Sequence, residues 1–458
     1  MKKLESYKSV YFVGAGGIGM SALVRYCLSK GLRVAGYDRT ATPLTLQLQQ
    51  EGVEMFFDEA VSLIPAYCQN PDETLVVYTP AVPDSHEGLM FFRNNGFEVI
   101  KRARLLGLIT HSLKGLCFAG THGKTTTSSM AAHIFTQSAV ECNAFLGGIL
   151  RNYDSNLILS SKSDYAVIEA DEFDRSFHQL LPYIAVVTST DPDHLDIYGT
   201  EEAYLESFAH FTSLIQPGGA LILKQGVKLQ PGLQEDVKLY RYSRDEGDFH
   251  AEHIRVGDGR IVFDFVAPNG RVDDVELGVP VDINIENAVS AMAVAWLCGV
   301  APDDMRRAVG TFQGAKRRFE FWLRTPQRVM IDDYAHHPDE LKASITSVKA
   351  LYPDRKLSVI FQPHLYTRTR DFAPQFAEAL SLADEVILLN IYPARELPIE
   401  GVSSEIIFKN ILSPHKELCD REMLLERIKE YNFEVLLTMG AGDIDRLLPQ
   451  ICDIVKQK

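Results

Sequence analysis

Residues 120–127 read Gly-Thr-His-Gly-Lys-Thr-Thr-Thr and place a lysine and three hydroxyls behind two glycines. They follow the apolar residues 116–119, which predicts a strand that leads through a glycine loop into a helix. The N–H groups of such a loop point at phosphates, the lysine adds positive charge, and the next hydroxyl can bind Mg²⁺. Phe118 stands where the common phosphate-loop pattern has its first glycine, so this loop is of a shorter form. The sequence therefore predicts a nucleoside triphosphate site.

A second glycine loop, residues 14–19, reads Gly-Ala-Gly-Gly-Ile-Gly between a predicted strand at 9–13 and a predicted helix at 21–30. Asp38 closes the next predicted strand, as the ribose-binding acid of a dinucleotide site would. In physical terms the pattern supports a diphosphate at a helix N-terminus, which both NAD and a UDP-sugar would supply. A tight turn that binds nothing is the plain alternative.

Acidic runs follow two predicted strands, which span residues 165–168 and 184–188. The first run reads Glu169-Ala-Asp-Glu172, and the second reads Asp191-Pro-Asp-His194. Carboxylates at the ends of parallel strands beside a phosphate loop suit Mg²⁺ held partly through water. His194 is a candidate ligand of a second metal ion. A solvated acidic turn remains the alternative interpretation of each run.

The C-terminal third places histidines and arginines after its predicted strands. Asp332–Pro338 reads Asp-Asp-Tyr-Ala-His-His-Pro, Phe361–His364 reads Phe-Gln-Pro-His, and the cations of Lys316–Phe319 precede both. Loops at strand ends can line one crevice, so we expect these groups to form part of a site. Upstream, Asn284–Asn287 opens an apolar helix, and its amides either contact an adenine edge or cap the helix.

Alternating strand and helix patterns predict an α/β fold of three domains, because about 458 residues exceed one ordinary core. The expected domains are residues 1–109, Rossmann-like, 110–311, similar to a P-loop ATPase, and 312–458, again Rossmann-like. Turn signals at Asp258-Gly259 and Asn269-Gly270 predict a small antiparallel patch in the central domain.

A net charge of -15 argues against nucleic acid and anionic membranes as partners. The seven cysteines include no Cys-x-x-Cys pair, which is typical of a reducing compartment. Four glycines interrupt the apolar residues 10–24, which argues against a secretory leader. We therefore expect a cytoplasmic protein, monomeric or homodimeric.

Taken together and in order, these motifs resemble the Mur ligase family of peptidoglycan synthesis. The carrying segments are VGAGGIGMSAL, GTHGKTTT, EADEFDRSFHQLLP, TSTDPDHLDIYG, GAKRRFE, DDYAHHPDEL, FQPHLYTRTRDF, ARELPIEGVSS and, near the end, Met-Gly-Ala-Gly-Asp at 439–443. The resemblance is strongest to the branch that joins L-alanine to UDP-N-acetylmuramate with ATP and Mg²⁺. It implies that the N-terminal domain binds the UDP-sugar, the central domain binds ATP, and the C-terminal domain binds the amino acid.

The resemblance also implies a role for each matching residue. Catalytic roles fall to Lys124, Glu169, His194, Arg317, Asp333 and His336, and metal ligation falls to Thr125, Glu169 and His194. ATP contacts fall to Gly120, Thr121, His122, Gly123, Lys124, Thr125, Thr126, Asn284 and Asn287. UDP-sugar contacts fall to Gly14, Gly16, Gly17, Gly19 and Asp38, and amino-acid contacts to Tyr334, His336, His364 and Arg368. The family often has His-Asn where this chain has Ile283-Asn284, so a histidine contact to the nucleotide is not expected here.

Three other functions stay open at this point, one of which is a nucleotide-gated binding protein without bond-forming chemistry. A ligase of the same family that attaches a preformed tripeptide during cell-wall recycling would use the same chemistry with a larger amine pocket. An NAD-dependent dehydrogenase would use residues 14–19 and Asp38, but it leaves the phosphate loop unexplained.

Overall fold

The computed structural model describes residues 4–193, 195–257, 259–394 and 396–457. The chain forms two compact units. The first comprises residues 1–252, 265–273 and 286–309, and the second comprises residues 253–264, 274–285 and 310–458. Because mostly parallel sheets alternate with helices in both, the predicted α/β class is confirmed. The predicted boundaries at residues 109 and 311 stay a proposal.

The N-terminal sheet has five parallel strands in the order β3-β2-β1-β4-β5. The strands are β1 (Ser9–Val13), β2 (Arg33–Tyr37), β3 (Glu54–Phe56), β4 (Thr74–Tyr78) and β5 (Glu98–Lys101). The helices between them are α1 (Ile18–Ser29), α2 (Pro43–Gln50), α3 (Glu87–Asn94) and α4 (Arg102–Thr110). The strand order reverses at β1, which is buried along its whole length, so the glycine loop that follows β1 lies at a topological switch point.

A second sheet in the same unit has seven strands in the order β12-β11-β10-β6-β9-β7-β8. The strands are β6 (Lys114–Ala119), β7 (Asn143–Leu150), β8 (Ser155–Ile158), β9 (Tyr165–Glu169), β10 (Pro182–Val187), β11 (Ala220–Lys224) and β12 (Lys238–Tyr242). The helices are α5 (Lys124–Thr136), α6 (Leu195–Tyr198) and α7 (Glu201–Ser213). Only the β7–β8 pair is antiparallel among the pairings described. Because β6 lies between β9 and β10, the phosphate loop also follows a switch point.

Three consecutive strands form a small separate sheet: β13 (His250–Gly257), β14 (Arg260–Ala267) and β15 (Gly270–Glu276). Two residues join β14 to β15, a link that only antiparallel neighbours allow. This agrees with the predicted turn at Asn269-Gly270, whereas Asp258 of the other predicted turn lies outside the described residues. The apolar helix α8 (Ile283–Leu297) and helix α9 (Pro302–Thr311) follow.

The C-terminal sheet has six strands in the order β16-β17-β21-β18-β19-β20, and only its edge strand β16 is antiparallel to its neighbour. The strands are β16 (Glu320–Arg324), β17 (Val329–Asp333), β18 (Leu357–Phe361), β19 (Glu385–Leu389), β20 (His415–Cys419) and β21 (Val435–Met439). The helices are α10 (Pro338–Leu351), α11 (Tyr366–Leu380), α12 (Glu405–Phe408), α13 (Leu424–Arg427) and α14 (Leu448–Gln457). Four central strands are buried at every residue, as parallel strands covered on both faces must be.

All seven cysteines are free thiols, and six of them are buried. Burial raises the pKa of Cys27 and Cys142 to about 12 each, so these thiols stay protonated at neutral pH. Among the helices that the structure describes, none combines the length and the apolar character that crossing a membrane requires.

Gly107 in α4 packs against the backbone of Gln179, which precedes β10. A Cβ at this position would overlap the carbonyl oxygen of Gln179. Gly310 in α9 offers a matched control, because a Cβ there has no neighbour nearer than 3.6 Å. We expect Gly107→Ala to destabilise the fold by about 1–3 kcal/mol, the usual cost of overpacking, and Gly310→Ala to be neutral or slightly stabilising. Thermal unfolding of both variants checks this, and equal melting temperatures would contradict it.

Candidate functional site

The loop between β6 and α5 is held in one shape by glycine conformations that other residues rarely adopt. Gly120 has φ 138° and Gly123 has φ 82°. A Cβ at Gly120 would overlap the hydroxyl of Thr188, which donates to the carbonyl of His122 at 2.5 Å. The N–H groups that open α5 therefore end a preformed loop, as an anion site requires.

Lys124, the first residue of α5, is surrounded by oxygen atoms. Its Nζ donates to the carbonyls of Gly120 at 2.5 Å and Thr121 at 3.3 Å, and lies 2.8 Å from the carboxylate of Glu172. The Lys124 and Glu172 side chains are 14% and 2% exposed. Burial raises the pKa of Glu172 and the lysine opposes that rise. Sequence reasoning assigned no role to Glu172, and its place in the acidic run after β9 was the signal.

Thr125 and Glu169 bring a hydroxyl and a carboxylate together. Thr125 Oγ1 donates to Glu169 Oε1 at 2.9 Å, and the Gly147 amide donates to Glu169 Oε2 at 3.0 Å. Burial raises the pKa of Glu169, and the Thr125 hydrogen bond opposes the rise. Hard oxygen donors beside a phosphate loop fit Mg²⁺, which keeps several ligands from phosphate and water. The described residues contain no group of three or more His, Cys, Asp or Glu that could hold a metal.

Other residues with predicted ATP or metal contacts differ in position and exposure. Thr126 lies in the first turn of α5, and the His122 side chain is 74% exposed. His194 lies outside the described residues, so its metal role stays a prediction.

The two asparagines at the start of α8 differ in their contacts. The Thr127 hydroxyl donates to Asn287 Oδ1 at 3.1 Å, which places that amide beside the helix of the phosphate loop. Asn284 Nδ2 donates to the carbonyl of Val279 at 3.1 Å and thus stabilises the turn before its own helix. Their contact with an adenine stays a prediction.

The glycine loop after β1 packs tightly on its neighbours. Gly14 has φ 88°, and a Cβ there would lie 2.5 Å from Thr79 Cγ2. The amides of Gly14 and Ala15 both donate to the carbonyl of Tyr37, at 2.8 and 2.9 Å. The turn is therefore fixed by the end of β2.

Asp38 also stabilises this loop, because its carboxylate accepts the Gly16 amide at 2.7 Å. Gly17 is the N-cap of α1 with φ -71°, and Gly19 follows in the first turn. Contact of these residues with a UDP-sugar, and of Asp38 with its ribose, stays a prediction.

In the second unit four predicted side chains converge. The His336 ring lies 5.2 Å from that of Tyr334 and 6.3 Å from that of His364. Arg368 Nη1 lies 3.4 Å from His364 Nδ1, and the Tyr392 ring stacks on His364 at 5.9 Å. Burial lowers the pKa of His336, although Glu340 opposes the shift. The cluster therefore brings imidazole and guanidinium nitrogen atoms close together.

Arg317 is held by the loop that follows β21. Its guanidinium donates to the carbonyls of Gly440 at 2.6 Å and Gly442 at 3.4 Å, and its Nε lies 3.6 Å from Asp332 Oδ2. These contacts give Arg317 a structural role, and its catalytic role stays a prediction.

The two neighbouring aspartates are both buried. Asp333 accepts the hydroxyl of Ser344 and the amide of Phe319, and burial raises its pKa. Burial also raises the pKa of Asp332 to about 7, against the opposing effects of the Thr438 hydroxyl and Arg317. A catalytic role for Asp333 stays a prediction.

Three models of known families match successive parts of the chain. They are described as the Mur ligase family catalytic domain at residues 9–113, the Mur ligase middle domain at 118–295 and the Mur ligase glutamate ligase domain at 317–442.

Curated relatives match over nearly the whole chain. A UDP-N-acetylmuramate–L-alanine ligase of Parabacteroides distasonis is 63% identical, with 99% of this chain and 98% of the relative covered. One of Phocaeicola vulgatus is 59% identical, with 99% and 100% covered. The crystal structure of the UDP-N-acetylmuramate–alanine ligase MurC of Thermotoga maritima is similar with a TM-score of 0.80 at 26% identity, covering 98% of this chain and 99% of that one.

The pKa of Asp332 predicts how stability changes with pH. Because the folded-state pKa of about 7 exceeds the ordinary 3.8, the unfolded chain ionises first as pH rises. The residue's contribution to the free energy of unfolding is then complete below about pH 4 and lost by about pH 7, a change on the order of 4 kcal/mol. Asp332→Asn should remove that dependence. Melting temperatures of both proteins at pH 5 to 8 check this, and parallel curves would contradict it.

Proposed function

We propose a reaction from the premise that this chain belongs to the Mur ligase family: it joins L-alanine to the lactyl carboxylate of UDP-N-acetylmuramate as ATP is cleaved to ADP and phosphate. One observation carries the choice of substrates. Relatives at 59–63% identity that match almost end to end are UDP-N-acetylmuramate–L-alanine ligases. The phosphate loop with Lys124, Thr125 and Glu169 supports the ATP-dependent chemistry.

The reaction has two steps. A carboxylate oxygen of the sugar bonds to the γ-phosphorus of ATP, the bond from that phosphorus to the ADP oxygen breaks, and an acyl phosphate forms. The alanine nitrogen then bonds to the acyl carbon, the carbon–oxygen bond to phosphate breaks, and the amine proton passes to a base. The first step brings an anionic carboxylate to an anionic phosphate, so the protein must offset their repulsion.

The phosphate loop after β6 and its neighbours offset that repulsion. The loop N–H groups point at the phosphates, and Lys124 exchanges the carbonyls of Gly120 and Thr121 for phosphate oxygens. Bound Mg²⁺, held by Thr125 and Glu169, would neutralise further phosphate charge. Glu172 keeps Lys124 aimed into the loop.

The second unit supplies the amino-acid groups in this proposal. Arg368 would bind the alanine carboxylate. His336 is the base that accepts the amine proton. Its Nδ1 lies 2.9 Å from the carbonyl of Tyr334, which can only accept, so the proton sits on Nδ1 and Nε2 carries the lone pair. The lowered pKa keeps this ring neutral at pH 7.

We place the reaction in the cytoplasm, where ATP is available, and propose a monomer or homodimer. Buried, reduced thiols support a reducing compartment.

The first test measures phosphate release with ATP, Mg²⁺, UDP-N-acetylmuramate and L-alanine, with each component omitted in turn. We expect release to need all of them. Phosphate release that occurs with a tripeptide and not with alanine would assign the chain to cell-wall recycling. No release with either amine would overturn the proposed substrates, and a nicotinamide-dependent absorbance change would favour a dehydrogenase.

Lys124→Ala should lower turnover on the order of 10²-fold or more, because it removes the cation that the loop directs at the phosphates. Lys162→Ala is the matched control, since Lys162 is 79% exposed and pairs only loosely with Glu141 at 3.4 Å. Steady-state phosphate release measures both. Unchanged turnover in the Lys124 variant would contradict its assigned role.

A further inference from the structure

A cavity of about 230 Å³ lies beside the phosphate loop, within the first unit. Its walls come from α1 at Gly19, from α4 at Arg102, from β7 at Gly147 and from the end of β9 at Glu169 and Asp171. The cavity therefore begins at the helix that follows the first glycine loop and reaches the carboxylate that contacts Thr125.

The cavity is lined by more negative than positive side chains. Glu169 and Asp171 are acids, Arg102 is the one cation, and the remaining lining residues are glycines or apolar side chains, namely Gly19, Ala22, Leu23, Leu106, Phe145, Leu146 and Gly147. An anion that approached Glu169 here would be repelled unless a cation stood beside it. Arg102 is also the first residue of α4, so the positive end of the helix dipole adds to its charge.

Gly19 makes the space that Arg102 fills. A Cβ at Gly19 would overlap the guanidinium Nη1 and lie 3.1 Å from Cζ. Gly19 lies within the first turn of α1 and not among the glycines with positive φ. The glycine is therefore needed for the arginine and not for the backbone turn.

Arg102 is held in place by an ion pair with Asp171 that does not use all of its N–H donors. Its Nη2 lies 3.0 Å from Asp171 Oδ2, and the two side chains are 26% and 40% exposed. A guanidinium has five N–H donors in a planar fork that matches a carboxylate. The neighbouring pair Lys101–Asp174 secures the same helix end, so Arg102 can bind a further anion without releasing α4.

We propose that Arg102 binds the lactyl carboxylate of UDP-N-acetylmuramate and positions it beside Glu169 for attack on the γ-phosphate. This inference rests on the proposed function and deepens it. The cavity with its single lining cation is bounded by the helix after the N-terminal glycine loop and by Glu169, which contacts Thr125 of the phosphate loop. Arg102→Gln then removes the cation while retaining length and polarity.

Calorimetric binding without ATP tests the assignment with three ligands: UDP-N-acetylmuramate, UDP-N-acetylglucosamine, which lacks the lactyl carboxylate, and UDP. We expect Arg102→Gln to weaken the first about 10-fold or more, the usual effect of losing a charge-assisted hydrogen bond, and to change the other two less than about 2-fold. Arg104→Gln is the matched control, because Arg104 lies on the same helix, contacts Gln179 at 3.2 Å and does not line the cavity.

Gly19→Ala is an independent variant that keeps Arg102. Its methyl group should displace the guanidinium and weaken the binding of UDP-N-acetylmuramate more than that of the other two ligands. Arg102→Lys should retain part of the binding that Arg102→Gln loses. Thermal unfolding shows whether each variant is folded.

Three outcomes would overturn the assignment. Equal weakening of all three ligands would place Arg102 on the diphosphate, and unchanged binding in both Arg102→Gln and Gly19→Ala would remove Arg102 from the site. Failure of the unaltered protein to bind UDP-N-acetylmuramate would instead overturn the proposed function, and this inference with it.

Discussion

The contact between Lys124 and Glu172 is the interaction on which the phosphate loop depends. A buried cation needs partners, and here it has a carboxylate and two carbonyls of its own loop. Glu172 reaches it because β9 pairs directly with β6, so the loop after one strand and the acidic run after the other share an edge. The Tyr198 hydroxyl donates to the Glu172 carbonyl at 2.5 Å and fixes that run. Strand order therefore decides where the charge sits.

A glycine with positive φ follows an interior strand in all three large sheets. Gly14 follows β1, Gly120 follows β6 and Gly440 follows β21, with φ of 88°, 138° and 135°. Each glycine turns against a neighbouring strand end, as when a Cβ at Gly440 would lie 2.5 Å from the carbonyl of Gln362. Each of these strands lies between two parallel neighbours, so the loops open at the edge where parallel sheets bind ligands.

Local patterns in the sequence predicted much of this architecture. Strand β1 has its predicted bounds, because buried parallel strands appear as short apolar runs. Helix α8 begins at Ile283, one residue before the segment Asn284–Asn287 that was predicted to open it. The role of Arg102 could not be found this way, and the acidic run after β9 did not single out Glu172 as the partner of Lys124. Their partners lie 69 and 48 residues away, and no periodicity reports an ion pair between distant elements.

The buried thiols give the protein a set of built-in reporters. Cys27 in α1 and Cys117 in β6 lie in one hydrophobic core, whereas Cys419 at the end of β20 lies in another. A thiol-modifying reagent reacts with thiolate, and burial suppresses both ionisation and access. The rate at which each cysteine is alkylated therefore measures how often its own hydrophobic core opens, a local quantity that a single melting temperature averages away.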